Sequence, residues 1–221
     1  MNFKAVIFDL DGTLIDSMEV WAHVDHEFLG KRNIPVPDDL FDGIEVGNSY
    51  VEVAEHFKQK FNLPETTQEI MDEWTDMVAW HYENDISLKP GVKEFIEFLR
   101  SHNIKLGVGT SNIHHLTEKV LSANDVWHYF DAVVDGQKNL RGKPYPDIFL
   151  KVAEKLNVEP QECLVIEDVI AGVNAAKNAG MQVYAIEDNY SLKDKEKITE
   201  KADFYAADFF SIQKKLEILN E

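Results

Sequence analysis

Asp9 and Asp11 stand two residues apart, directly after the apolar run of residues 5–8 and directly before Gly12. In an extended chain that spacing sends both carboxylates off the same face. Glycine permits the turn a strand makes at its C-terminal end, the place where open parallel sheets hold their ligands. Two neighbouring acids that lose hydration call for a compensating proton or cation. Magnesium meets that demand, because it favours oxygen ligands and commonly joins one or two carboxylates to phosphate oxygens. From the spacing alone, a strand ending in a solvated acidic turn is at least an equal alternative.

The elements that must position these acids follow from hydrophobic periodicity. Short apolar runs at residues 5–8, 104–108, 132–134, 163–166 and 182–186 are separated by stretches of helical period. Val92, Phe95, Ile96 and Leu99 form one helical stripe, and Ile148, Val152, Ala153 and Leu156 another. Strands alternating with helices predict an α/β fold, a doubly wound, mostly parallel sheet covered on both faces. Residues 17–84 break the alternation, being too long for an ordinary crossover and lacking a convincing strand. They are expected to form an inserted helical bundle with helices over residues 18–29, 50–61 and 67–82. Pro35, Pro37 and Pro64 punctuate the joins, and Pro90 and Gly91 mark the return. The predicted organisation is a core of residues 1–16 and 85–221 and an insertion of residues 17–84. Trp21, Trp74, Trp80, Phe28, Phe57 and Phe61 are expected to fill the core of the insertion.

The string from Phe8 to Ser17, FDLDGTLIDS, closely resembles the first signature of the haloacid dehalogenase superfamily, in its phosphatase and phosphomutase branch. The resemblance implies that Asp9 attacks phosphorus to form an aspartyl-phosphate and that Asp11 serves as general acid and base. The later signatures appear in the family's order, each at an inferred strand end. Thr110, in Gly109-Thr110-Ser111-Asn112, takes the place of the hydroxyl that holds the transferring phosphoryl group, with Ser111 and Asn112 beside it as substrate-binding residues. Alone, that segment is equally a helix cap. Lys143, in Gly142-Lys143-Pro144, takes the place of the lysine that neutralises nucleophile and phosphate. Glu167 and Asp168 take the place of the metal-side acids. The implied Mg2+ is held by the Asp9 carboxylate, the Asp11 carbonyl and Asp168, with Glu167 joining directly or through water.

The insertion lies where the family's helical cap sits, and its length suits a small four-helix cap hinged near residues 15–17 and 85–90. Within it, residues 43–48 resemble a substrate-specificity loop, which makes Glu45 and Asn48 candidates for contact with the leaving group; a plain helix connection is the alternative. The overall pattern is similar to beta-phosphoglucomutase-like proteins. Two departures favour hydrolysis over mutase chemistry: Trp21 stands where the mutase has a His, and residues 43–49 contain no Arg or Lys to grip a second phosphate.

A net charge of −18, from 22 basic and 40 acidic residues, opposes binding to nucleic acid. It also requires a phosphate site to supply positive charge locally, which Lys143 answers. The lone Cys163 cannot form an internal disulfide, and the N-terminal sequence lacks the apolar stretch of a leader or membrane span. A cytoplasmic monomer acting on a small phosphorylated metabolite, with a sugar phosphate as the named candidate and no membrane or nucleic-acid partner, is expected. The eight histidines show no metal-ligand spacing. A phosphatase is the first reading, a phosphosugar mutase the second, and a non-catalytic phosphorylatable or binding module the third.

Overall fold

The computed structural model describes residues 3–42, 49–136 and 140–218. Along the chain run β1 (Ala5–Phe8), α1 (Met18–Gly30), α2 (Tyr50–Lys60), α3 (Thr67–Asn84), α4 (Val92–Ser101), β2 (Lys105–Gly109), α5 (His114–Ala123) and β3 (Ala132–Val134). Then follow α6 (Asp147–Leu156), β4 (Cys163–Glu167), α7 (Ile170–Asn178), β5 (Gln182–Ile186), α8 (Lys195–Lys201), β6 (Phe204–Ala206) and α9 (Phe209–Ile218). The strands form one parallel sheet in the order β3-β2-β1-β4-β5-β6.

Strand β1 is buried on both sides, and its alternation divides the core. Val6 and Phe8 pack in the cluster that holds α4, α5 and α9, whereas Ala5 and Ile7 pack in the cluster that holds α6 and α7. The first cluster is continuous with the apolar residues of α1, α2 and α3. Both predicted stripes, on α4 and α6, are buried along their length. Cys163 is a buried free thiol, and burial pushes its pKa up to about 11. The sheet's sixth strand, β6, has no counterpart among the predicted strands; it is a three-residue edge strand, Phe204-Tyr205-Ala206, two of whose residues are only half-buried.

The three helices predicted for the insertion are present, and they are its α-helices among the described residues. Two begin with reciprocal capping boxes, Ser49 with Glu52 and Thr66 with Glu69. Trp74 packs edge-on against Phe28, Phe57 and Tyr50, as a small aromatic core requires. Trp80 departs from expectation and is 59% exposed. It falls on the outer face of α3, where the apolar stripe of Ile70, Trp74, Val78 and Tyr82 already fills the inner one. The two segments that join the insertion to the sheet run side by side: Ile15 bridges Leu88, Asp16 N–H donates to the Ser87 carbonyl, and Lys89 N–H donates to the Leu14 carbonyl. Among the described residues no helix is long and apolar enough to cross a membrane.

Candidate active site

Sheet register brings the chemistry together. Phe8 of β1 lies level with Val108 of β2 and with Ile166 of β4. The residues that follow, Asp9, Thr110, Glu167 and Asp168, therefore leave the sheet at one edge. Asp9, Asp11, Thr110, Ser111, Asn112, Lys143 and Asp168 all line one cavity of about 300 Å³. Gly12 turns the chain away at φ +81°, and a Cβ there would lie 2.5 Å from Asp168 Oδ2, so glycine is required twice over.

Lys143 is buried and donates both to Asp9 Oδ1 and to Glu167 Oε1, with the Phe149 ring 5.3 Å from its Nζ. Burial works against the ammonium, but the charges of Asp9 and Glu167 outweigh it and hold its pKa above that of an ordinary lysine. For Asp9, desolvation by burial dominates over the pull of Lys143 and pushes the carboxyl up to about 7. Burial, then the Glu167 and Asp9 charges, raise Asp168 well above the usual carboxylate range, although Thr13 Oγ1 donates to its Oδ1 at 2.7 Å. Two of these three buried carboxylates, Asp9 and Glu167, share the Lys143 ammonium. Asp9 Oδ2 and Asp168 Oδ2 accept no hydrogen bond from the described residues. An all-oxygen set with excess buried negative charge fits a magnesium ion.

Glu167, expected on the metal side directly or through water, is bonded to Lys143. It is fully buried, its Oε1 receives Lys143, and its Oε2 receives the backbone N–H groups of Asp168 at 2.6 Å and Val169 at 2.7 Å. With both oxygens engaged, it holds the lysine rather than presenting a free ligand atom. Gly172 makes room for it, since a Cβ there would lie 1.6 Å from Glu167 Oε1. Gly172→Ala is therefore expected to displace Glu167, lower stability by about 2 kcal/mol and reduce turnover. Thermal melting and steady-state kinetics check this; a variant indistinguishable from wild type contradicts it.

Asp11 is reached from the insertion. Its Oδ1 accepts from Ser17 Oγ at 2.6 Å, from Trp21 Nε1 at 3.2 Å and from the Tyr82 hydroxyl, and its Oδ2 accepts from Asn112 Nδ2 at 2.9 Å. Tyr82 in turn accepts from Trp21 and Asn112, each at 2.9 Å. Burial, then the Asp11 charge, keep the Tyr82 pKa well above its ordinary value, so the hydroxyl remains a donor. Trp21, expected to be core, thus belongs to the site. Tyr82 escapes a reading of the sequence because nothing local ties it to an acid 71 positions earlier. Thr13 is the more findable omission, lying inside the first acidic segment.

Thr110 is buried, and its Oγ1 accepts the Asn112 N–H at 3.0 Å rather than capping α5, whose N-cap residue is Ile113. Ser111 and Asn112 line the cavity, and the Ser111 carbonyl receives the Tyr50 N–H of α2 at 3.1 Å. Glu45 and Asn48 lie outside the described residues.

A family model described as haloacid dehalogenase-like hydrolase matches residues 6–186. The chain belongs to the haloacid dehalogenase-like hydrolases. It is 32% identical to the phosphorylated carbohydrates phosphatase of Thermotoga maritima, over 98% of this chain and 97% of that protein. It is 33% identical to the beta-phosphoglucomutase of Bacillus subtilis, over 80% of each. The crystal structure of CbbY from Rhodobacter sphaeroides in complex with phosphate superposes with a TM-score of 0.82 at 24% identity, covering 94% of this chain and 95% of that one. That last likeness concerns the fold. The dehalogenase-like architecture accounts for the convergence of three strand ends, those of β1, β2 and β4, on one crevice.

Proposed function

We propose that this chain is a magnesium-dependent phosphatase that hydrolyses the phosphate monoester of a small metabolite through an aspartyl-phosphate on Asp9. One observation carries the reading: Asp9 presents to a cavity an oxygen that accepts no hydrogen bond from the described residues, while its other oxygen is fixed by a buried lysine. Lys143 orients the nucleophile and offsets negative charge as the phosphoryl group arrives. Thr110 Oγ1, Ser111 and Asn112 supply polar atoms for the phosphoryl oxygens. Asp11 protonates the departing ester oxygen and then takes a proton from the water that cleaves the aspartyl-phosphate. Asp9, Asp168 and the Asp11 carbonyl are the groups to hold Mg2+, which when bound supplies charge neutralisation at the phosphate. Residues 17–84 act as a cap over residues 1–16 and 85–221, flexing at the paired segments around Ile15 and Leu88 and excluding bulk water when closed.

Support also comes from the two relatives compared by sequence, one named a phosphatase and the other a mutase. Trp21, bonded to Asp11, favours hydrolysis, because it occupies the position of the mutase's histidine. The test is a panel of phosphorylated metabolites assayed with Mg2+ and again with a chelator. It includes a hexose 1-phosphate with a bisphosphate primer. Free phosphate that depends on Mg2+ is expected to outpace the isomerised 6-phosphate. Isomer forming faster than phosphate reverses the assignment.

A further inference from the structure

Tyr82 sits near the C-terminal end of α3, fully buried, and its hydroxyl meets three groups: Asp11 Oδ1, Trp21 Nε1 at 2.9 Å and Asn112 Nδ2 at 2.9 Å. The Asn112 amide can face only one way, because its Oδ1 accepts the Ile113 N–H at 2.8 Å. An indole N–H and an amide NH2 donate and never accept, so together they occupy both lone pairs of the phenol oxygen. The single hydrogen of the Tyr82 hydroxyl is left with Asp11 as its acceptor. Its direction is thereby set by two neighbours, one from α1 and one from the loop after β2, and the hydroxyl cannot turn to receive a proton.

The two oxygens of Asp11 are consequently unequal. Oδ1 accepts from Ser17 Oγ, Trp21 Nε1 and Tyr82, whereas Oδ2 accepts only from Asn112 Nδ2 among the described residues. A carboxylate oxygen offers roughly two lone-pair sites, so Oδ1 is filled while Oδ2 keeps one. A proton on Oδ1 would be set against the hydrogen of Tyr82; a proton on Oδ2 displaces nothing. Asp11 lines the cavity in which the ester oxygen and the attacking water must arrive. Burial, followed by the Asp11 charge, keeps the Tyr82 proton on its own oxygen, so Tyr82 orients the acid without supplying the proton.

We propose that Tyr82 is a positioning residue for the acid/base: by saturating Oδ1 it dedicates Asp11 Oδ2 to the proton transferred in both halves of the reaction. The proposal rests on the phosphatase reading and adds to it a residue of the insertion. In the first half, Asp9 Oδ2 bonds to phosphorus and the bond from phosphorus to the ester oxygen breaks. That oxygen keeps the electron pair and takes the proton from Asp11 Oδ2. In the second half, a water oxygen bonds to phosphorus and its proton passes to Asp11 Oδ2. The bond from phosphorus to Asp9 then breaks, its electron pair returning to the carboxylate.

Tyr82→Phe removes the hydroxyl and retains the ring that packs edge-on against Trp21. Trp21 Nε1 and Asn112 Nδ2 each keep an Asp11 oxygen to donate to, so no donor is stranded. The experiment assays wild type, Tyr82→Phe, Asp11→Asn and the double variant with Mg2+, and melting curves confirm folding. Its substrates are glycerol 2-phosphate, whose alkoxide needs a proton to leave, and p-nitrophenyl phosphate, whose phenolate does not. Tyr82→Phe is expected to lose about 10- to 100-fold in kcat/KM on glycerol 2-phosphate, through kcat and not KM, and less than about threefold on p-nitrophenyl phosphate. Cleavage of the aspartyl-phosphate still needs the base, so acid-quenched Tyr82→Phe should carry more phosphoenzyme than wild type during turnover of p-nitrophenyl phosphate. In Asp11→Asn, which has no acid/base to position, adding Tyr82→Phe is expected to change the residual rate on glycerol 2-phosphate by less than about threefold. Equal losses on both substrates, no loss on glycerol 2-phosphate, an unchanged phosphoenzyme level or a full further loss in the double variant overturns the positioning role and leaves the phosphatase intact. Wild type that releases phosphate from p-nitrophenyl phosphate alone does the same, and release from neither substrate overturns both. If Tyr82→Phe does not fold, Trp21→Phe decides, because it removes the N–H that reaches both Tyr82 and Asp11 Oδ1. The same split between the two substrates is expected of it, and an equal loss on both overturns the role.

Discussion

Asp9→Asn is expected to lower Mg2+-dependent phosphate release on the order of 10⁴-fold or more while leaving the fold in place. The amide has the size of the carboxylate, so the packing at the end of β1 is preserved, but its oxygen no longer bears the charge that attacks phosphorus. Lys143 keeps Glu167 as a partner, so its ammonium is not stranded. Burial opposes the Asp9 charge, as the rise of its pKa to about 7 records, so replacing it with a neutral group removes a penalty as well as an attraction. The melting temperature is accordingly expected to stay within a few degrees of wild type. Phosphate release across a phosphometabolite panel, with mass spectrometry of acid-quenched protein, checks both halves. A phosphorylated adduct should form on the wild type and be missing from the variant. Turnover near the wild-type rate in Asp9→Asn would place the nucleophile elsewhere and sink the mechanism.

Much of this arrangement is legible in the amino-acid sequence. Asp9, Thr110, Glu167 and Asp168 each follow an apolar run. Parallel strands need helical crossovers, so ends that share a sheet edge can be inferred from the order of the runs alone. Lys143 is recognisable only through the family's signature, since a lysine before a proline is ordinarily solvated. Its burial between two acids is a tertiary fact.

The part that is not legible depends on how the insertion docks. Tyr82 and Trp21 lie on different helices of the insertion, and their convergence on Asp11 requires the joining segments to pair at Ile15 and Leu88. No period of 2 or 3.6 encodes that. The role of Glu167 is hidden for another reason. Its acidic neighbour Asp168 suggests a shared function, yet successive residues beyond a strand point in different directions. One receives the lysine and the other the Thr13 hydroxyl.

The buried triad of Asp9, Lys143 and Glu167 makes a sharper demand on stability than any other group in the site. Lys143→Met keeps most of the side-chain volume and removes the charge, so two carboxylates lose the cation that offsets them. Removing one partner from a buried ion pair costs about 3–5 kcal/mol, because the remaining charge is stranded without water. For a chain of this size that corresponds to a fall in melting temperature of roughly 10 °C. Activity should fall on the order of 10³-fold, through loss of both orientation and charge at the phosphoryl group. A desolvation origin makes a further demand on the double variant. Gln at position 167 still accepts the Asp168 and Val169 N–H groups through its amide oxygen, and it brings no charge. Adding Glu167→Gln to Lys143→Met should therefore recover part of the lost stability, although Glu167→Gln alone destabilises the wild type. The coupling expected from such a cycle is about 0.5–3 kcal/mol. Denaturant unfolding of the wild type, both single variants and the double measures it. Strict additivity of the two losses would mean that Lys143 and Glu167 contribute independently, and that the lysine is not held in place by the acid beneath it.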